Sequence, residues 1–264
     1  MQDFQSFYER ATGRPPHGYQ ARIARDGLPD VVRAPAGAGK SGVILAWLWR
    51  RLHGQDPAGT ARRLVYALPQ RAALDQVAGS VRTWLANLGL TERVALHVVL
   101  GDRGASAGDW RENMHRPAIV VGTVDTLVSK ALNRGFGIAP AMYPIDFALV
   151  TNGAQWVVVE PALCQATTAT LRQVAGWAAR WGTAEPFGLT FLSSVPAASV
   201  PAALSVPAAA GASATRAAGD YAALAQAVRE RHQAGTMTLA VLNTVPGAQE
   251  VYRRLRCDDH VSVT

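Results

Sequence analysis

The run Arg33-Ala34-Pro35-Ala36-Gly37-Ala38-Gly39-Lys40-Ser41 holds the residue types of a phosphate-binding turn, in the order such a turn needs. Glycines let the backbone wrap closely around phosphates, so that successive N–H groups point inward. Lys40 can reach β- and γ-phosphates, and the Ser41 hydroxyl can ligate Mg²⁺. Ala34 stands where the strict pattern has its first glycine. Two features offset that departure. Residues 28–32 read as a strand and residues 43–49 open an apolar helix, the strand–loop–helix order that the turn requires. Lysine is also rare: Lys40 and Lys130 are the two in the chain, so a chance Gly-Lys-Ser is less expected. The plain alternative is a Gly/Ala-rich strand-to-helix turn with no ligand.

Such a turn works only on a sheet that presents it. Apolar, β-branched runs at 64–68, 94–100, 118–121, 156–159 and 187–192 alternate with amphipathic stretches, including helices predicted near 71–88 and 126–132. Near-continuous apolar strands separated by helices imply a mostly parallel sheet covered on both faces, an α/β fold. Ligands of such sheets sit at the carboxyl ends of the strands. Residues 193–219 are rich in Pro, Ala and Ser, show neither helical nor strand period, and read as a linker or irregular cover. Beyond them, residues 220–264 predict one helix–strand–helix unit, which cannot close a sheet of its own.

The 264 residues are 49% hydrophobic, and no run approaches the length of a membrane span. The first residues are polar and acidic, unlike a signal peptide, and Cys164 and Cys257 give neither a disulfide framework nor metal spacing. A cytoplasmic protein with no membrane partner is expected. The net charge of +7 comes almost wholly from arginine. It suits a phosphate-backbone binder, and equally a compositional bias towards Arg, Ala, Gly and Pro. His97 lies in a predicted strand and reads as a core or surface histidine. Trp47, Trp49, Trp84 and Trp110 read as packing rather than base-stacking residues.

Taken in order, these motifs resemble superfamily 2 helicases. More narrowly, they resemble the helicase-nuclease of type I CRISPR interference systems whose helicase precedes the nuclease. Tyr19-Gln20 is similar to the adenine-reading glutamine motif, and residues 34–41 to the phosphate loop. Pro69 and Arg71, with Gln76, resemble a motif that meets the nucleic-acid backbone at a strand end. Gly122-Thr123-Val124-Asp125, continuing to Asn133-Arg134-Gly135, is the stretch most specific to the family, and residues 242–245 resemble the first motif of a second RecA-like domain. The resemblance implies a RecA-like P-loop NTPase domain over residues 1–192, a linker at 193–219 and the beginning of a second RecA-like domain at 220–264. It implies ATP and Mg²⁺ as cofactors. Gln20, Ala36, Gly37, Ala38, Gly39, Lys40 and Ser41 would hold the nucleotide, with Ser41 on the metal and Lys40 and Glu160 catalytic. Pro69, Arg71, Gly122, Thr123, Asp125 and Arg134 would contact nucleic acid, and Ser193 and Ser194 would couple the two sites. The implied partners are single-stranded or displaced DNA, the crRNA-guided surveillance complex, and a separate chain supplying the second helicase domain.

Three departures bear on function. Val159 replaces the aspartate that holds Mg²⁺ ahead of Glu160, Ala36 replaces a threonine inside the loop, and Val195 replaces the third residue of the coupling motif. Valine offers Mg²⁺ no oxygen. The arginines of a second motor domain, whose transition-state contribution can reach thousands-fold, have no counterpart in the sequence, nor has a His-Asp nuclease. The expectation is an ATP-binding motor domain of an antiviral DNA helicase that does not unwind by itself. The alternatives are a non-catalytic helicase-derived module and an unrelated phosphate-loop ATPase or kinase.

Overall fold

The computed structural model describes residues 3–35, 37–54, 56–99, 111, 113–135, 138–160, 165–194, 204–205, 220–233, 238, 240, 242 and 244–256. Ala36, Trp110, Cys164, Val195, Asn243 and Cys257 lie outside them. Among the described residues, seven strands form one sheet: β1 (Val31–Arg33), β2 (Arg63–Leu68), β3 (Ala95–Val99), β4 (Ala118–Thr123), β5 (Ala154–Val159), β6 (Gly188–Ser193) and β7 (Leu204–Ser205). Their order is β3-β4-β2-β5-β6-β1-β7, and every described pairing is parallel. The sheet predicted from the apolar runs is therefore present, and its loop-bearing strand β1 lies between β6 and β7.

Helices cover both faces. On one side lie α1 (Phe4–Thr12), α2 (Gly18–Asp26), α3 (Val43–His53) and α4 (Ala72–Leu88), packed on Val32, Leu64, Tyr66, Ile119, Val157 and Leu192. On the other lie α5 (Val124–Ala131), α6 (Tyr143–Thr151) and α7 (Gln165–Trp181), packed on Val65, Val120, Trp156, Val158 and Phe191. Alternation along each strand divides its side chains between the two cores. All six residues of β2 are buried, as a central parallel strand requires. Trp47 belongs to the first core, and Trp49 and Trp84 pack against it, so these three tryptophans are packing residues as expected. His97 is likewise buried.

Differences from the sequence reading have local causes. The helices α1, α2, α6 and α7 went unpredicted. α1 is defined by its ends: Asp3 caps it by accepting the Ser6 N–H at 2.7 Å, and Gly13 closes it in the left-handed region. β1 is shorter than the run at 28–32 and starts at Val31. The Pro29 carbonyl instead accepts the Thr190 hydroxyl at 2.8 Å. α5 begins at Val124, earlier than expected, with Thr123 before its first turn. Within the tract read as a linker, Leu204 and Ser205 form β7 beside Val32 and Arg33.

Two buried charged residues organise the second face. Arg63, at the start of β2, donates to the Leu149 carbonyl at 2.8 Å, the Met114 carbonyl at 2.9 Å and the Asn152 carbonyl. It thereby serves the orphan carbonyls at the end of α6. Asp146, fully buried on α6, accepts Lys130 of α5 at 2.6 Å and both arms of Arg111 at 2.7 and 2.9 Å.

Residues 1–208 and residues 209–264 form two compact units. The second unit contains α8 (Tyr221–Arg231) and α9 (Val245–Arg256), which pack through Ala225, Val251 and Leu255. Of the strand expected between them, Thr238, Ala240 and Leu242 are described, and none is in a strand.

Removing a buried charge that neutralises two cations is costly, so Asp146→Ala should destabilise the domain by about 3–5 kcal/mol. Urea unfolding monitored by circular dichroism measures it; a loss within the range of ordinary surface substitutions would show that the triad is not structural.

Candidate functional site

At the carboxyl end of β1 the chain turns through the phosphate-type loop. Gly37 and Gly39 adopt left-handed φ values of 79° and 66°. Ala34 does not, which is why a Cβ is accepted at a position where the strict pattern has glycine. Lys40–Gly42 form a single 3₁₀ turn that runs into α3. Backbone N–H groups at the start of a helix, after a turn of this shape, make a ready anion cradle.

The loop is held from behind by α2. Gln20, fully buried, donates from Nε2 to the Gly39 carbonyl at 2.8 Å and accepts the His17 N–H at 2.8 Å. The Tyr19 hydroxyl donates to the Ala38 carbonyl at 2.8 Å, and burial pushes its pKa well up, keeping it a donor. The Tyr19-Gln20 pair singled out in the sequence thus lies directly against the loop, and its polar atoms bind loop carbonyls. The same packing crowds Gly42: a Cβ there would lie 2.3 Å from Gln20 Nε2 and 2.5 Å from the Tyr8 hydroxyl, so these side chains would have to shift.

Across the cleft, Lys40 Nζ donates to Glu160 Oε1 at 2.5 Å. Glu160 follows β5 with a left-handed φ of 49°, unusual for a side chain with a Cβ and worth on the order of 1–3 kcal/mol of strain. Contacts on all sides hold it there. Its N–H donates to the Leu192 carbonyl at 2.8 Å, and its carboxylate accepts the Ser194 N–H with both oxygens at 3.1 Å. Burial pushes the Glu160 carboxyl up, but the Lys40 ammonium and Ser194 outweigh it and hold it below its ordinary value. Ser193 joins the same edge through its carbonyl, which accepts the Ala34 N–H at 2.9 Å. Lys40, Glu160, Ser193 and Ser194, far apart in sequence, are therefore neighbours.

The donors suit phosphate: an ammonium, glycine-shaped N–H groups and a hydroxyl at Ser41. Mg²⁺ takes an octahedral set of hard oxygens, largely from water and substrate phosphates; the chain offers it the Ser41 hydroxyl and lacks a carboxylate at Val159. Val159 packs in the apolar core with Ala34 and Val43, and Ala38 lies against that core. Glu160 is committed to Lys40 and Ser194. No group of three or more His, Cys, Asp or Glu able to hold a metal occurs among the described residues.

The expected nucleic-acid residues divide. Pro69 and Arg71 follow β2, and Gly122 and Thr123 end β4, the strand paired with it, with Thr123 opposite Leu68. Gly122 is tight: a Cβ there would lie 3.0 Å from Leu127 and 3.1 Å from the Val99 carbonyl. Arg71 and Asp125 are exposed at this edge, and Thr123 Oγ1 lies 2.8 Å from Thr126 Oγ1. Arg134 is exposed too, but lies beyond the other end of α5, after Asn133 with its φ of 54°. Sequence reasoning missed the buried charges Arg63 and Asp146; nothing in their immediate neighbours signals them.

Two outcomes follow. Gln20→Ala should leave the Gly39 carbonyl and the His17 N–H without their partner and cost about 1–3 kcal/mol by denaturant unfolding. Because folding lowers the Glu160 pKa, its contribution is present above the unfolded value and is lost as pH falls through the lowered folded value. The stability gap between wild type and Glu160→Gln should therefore be largest at neutral pH and shrink on acidification. A gap independent of pH would show that the carboxylate charge adds nothing.

Residues 19–142 match the DEAD/DEAH box helicase family. The structure is similar to the DUF1998 helicase MrfA, with a TM-score of 0.68 at 13% identity over 96% of this chain and 40% of that one. It is also similar to S. cerevisiae Dbp5 bound to RNA and ADP BeF3, with a TM-score of 0.52 at 14% identity over 99% of this chain and 66% of that one. The chain spans less than half of the MrfA chain and just under two thirds of the Dbp5 chain. No curated protein matches the sequence. The sheet order, the loop at β1 and these similarities together establish a RecA-like α/β fold, similar to that of helicase domains.

Proposed function

We propose that this chain is a nucleotide-binding motor-type domain of a helicase, with a nucleic-acid face on the strand ends of β2 and β4. The observation that carries the reading is the loop: Lys40 and two left-handed glycines stand at the carboxyl edge, held by Tyr19 and Gln20 and tied through Glu160 to Ser194. ATP chemistry would supply a phosphoanhydride whose charge Lys40 and the loop N–H groups receive. Glu160 is the group placed to orient a water, and Ser194 carries its position into the strand edge. Val159 favours a second reading beside this one, a helicase-derived module that binds without turnover, since transfer of a phosphoryl group depends on positioning and charge neutralisation.

Nucleic acid, as in the MrfA structure bound to DNA, fits the exposed Arg71 beside Pro69 and Thr123. The narrower reading, an antiviral DNA helicase working with a crRNA-guided complex or a separate second-domain chain, rests on the residue pattern of 122–137.

Titration with a fluorescent ATP analogue tests the site. Lys40→Ala should weaken binding by more than about tenfold; equal binding would remove the loop from the reading. Arg71→Glu should weaken binding of single-stranded DNA at low salt and flatten its salt dependence. Unchanged affinity would take the β2 edge out of the interface.

A further inference from the structure

On the second face of the sheet, α7 is held by Thr168, Leu171 and Val174, and no residue of the helix after Val174 is buried. Ala175, Ala178 and Ala179 of its last two turns, with Leu189 and Phe191 of β6, line a groove of about 540 Å³. Small side chains on the helix leave it open, and its size lies in the range of about 300–1,000 Å³ that takes a drug-sized molecule. Asp30 and Arg172 line it too, with the Arg172 guanidinium 5.0 Å from the Phe191 ring centre. Next in the chain after this wall, Trp181 is 69% exposed, the most exposed large apolar side chain among the described residues. Its ring lies 6.5 Å from that of Trp177, itself 39% exposed, and the Arg180 guanidinium sits 5.5 Å over it. α7 runs from the end of β5 back to the start of β6, so Trp181 stands at the amino edge of the sheet, away from Lys40 and Arg71.

We infer that this face joins two copies of the chain about a two-fold axis, each placing its Trp181 in the groove of the other. Trp181 does not line its own groove, so an apolar knob and an apolar hole stand side by side on one surface. Charge matches in the same sense. Arg180 flanks the knob and Asp30 the hole; both are exposed, and neither has an ion pair among the described residues. Seating the indole of one copy in the other's groove carries the first copy's Arg180 towards the second copy's Asp30, and the axis repeats that pair. A surface holding both members of each match is complementary to itself. A two-fold contact uses both at once and closes, whereas a head-to-tail contact leaves a knob and a hole over and grows into chains. Tryptophan and arginine are also the types that most often dominate the energy of protein contacts. The inference is independent of the nucleotide-site reading.

Sedimentation velocity of the full chain over a concentration series tests this. Expected is a reversible monomer–dimer equilibrium at up to about 100 μM, with no larger species. Trp181→Glu should weaken pairing by about thirtyfold or more, the cost of truncating a dominant contact. Arg180→Asp and Asp30→Arg should each weaken it by about tenfold, and combining them in one chain should restore it. All three positions are exposed, and circular dichroism confirms that each variant is folded. A chain that stays monomeric throughout overturns the inference. So does a dimer that Trp181→Glu leaves unchanged, or a double variant that fails to pair. A monomer whose affinity for single-stranded DNA falls in Trp181→Glu overturns it in favour of a second nucleic-acid surface.

Discussion

The ion pair between Lys40 and Glu160 joins residues 120 positions apart, and the arrangement of the whole carboxyl edge turns on it. It closes the loop after β1 onto the end of β5, two strands that are not adjacent but are separated by β6. β6 then completes the circuit. Leu192 and Ser194 hold the backbone and carboxylate of Glu160, while Ser193 holds Ala34 at the root of the loop. This geometry needs every strand to point the same way. One antiparallel member would carry its end to the far side of the sheet and leave an opening in the ring of contacts. The two-faced apolar core, with the central strand buried throughout, is what enforces that common direction.

Much of this was legible in the residues. Continuous apolar runs in the sequence became parallel strands, because a strand covered on both sides needs no polar face. The loop was legible because glycines at 37 and 39 and a rare lysine coincide with a strand-to-helix transition. Ser193, Ser194 and Glu160 could be named from their motifs, though not the manner of their meeting, which runs through main-chain N–H and carbonyl groups that every residue owns. Other features were not read. α1 was missed although Phe4, Phe7, Tyr8 and Ala11 recur at helical spacing between the Asp3 cap and Gly13, and α2 although Tyr19, Ile23 and Ala24 share one face. Arg63 and Asp146 look like surface residues in a sequence. Only the fold reveals that one serves the carbonyls ending α6 and the other neutralises two cations.

The position of Gln20 beside the loop was legible in the sequence; the load it carries there was not. Its place beside the loop follows from its spacing to Lys40. Its complete burial, with both ends of the carboxamide used on Gly39 and His17, makes it a strut of the loop as well as a candidate for contact with a base. The tight approach at Gly42 shows that strut, loop and Tyr8 are fitted to one another.

The buried carboxylate of Asp146 has a mechanical meaning as well as an energetic one. Lys130 on α5, Arg111 and the body of α6 all meet on it, while α6 is fastened to the root of β2 through Arg63. Rolling α5 about its own axis would pull an ammonium off a charge that has no water to replace it. The helix that starts after Thr123 and carries Asp125 is thus geared to the central strand. A displacement at one end of that strand can reach the exposed edge as movement of a stiff block, with no need for any part of it to melt.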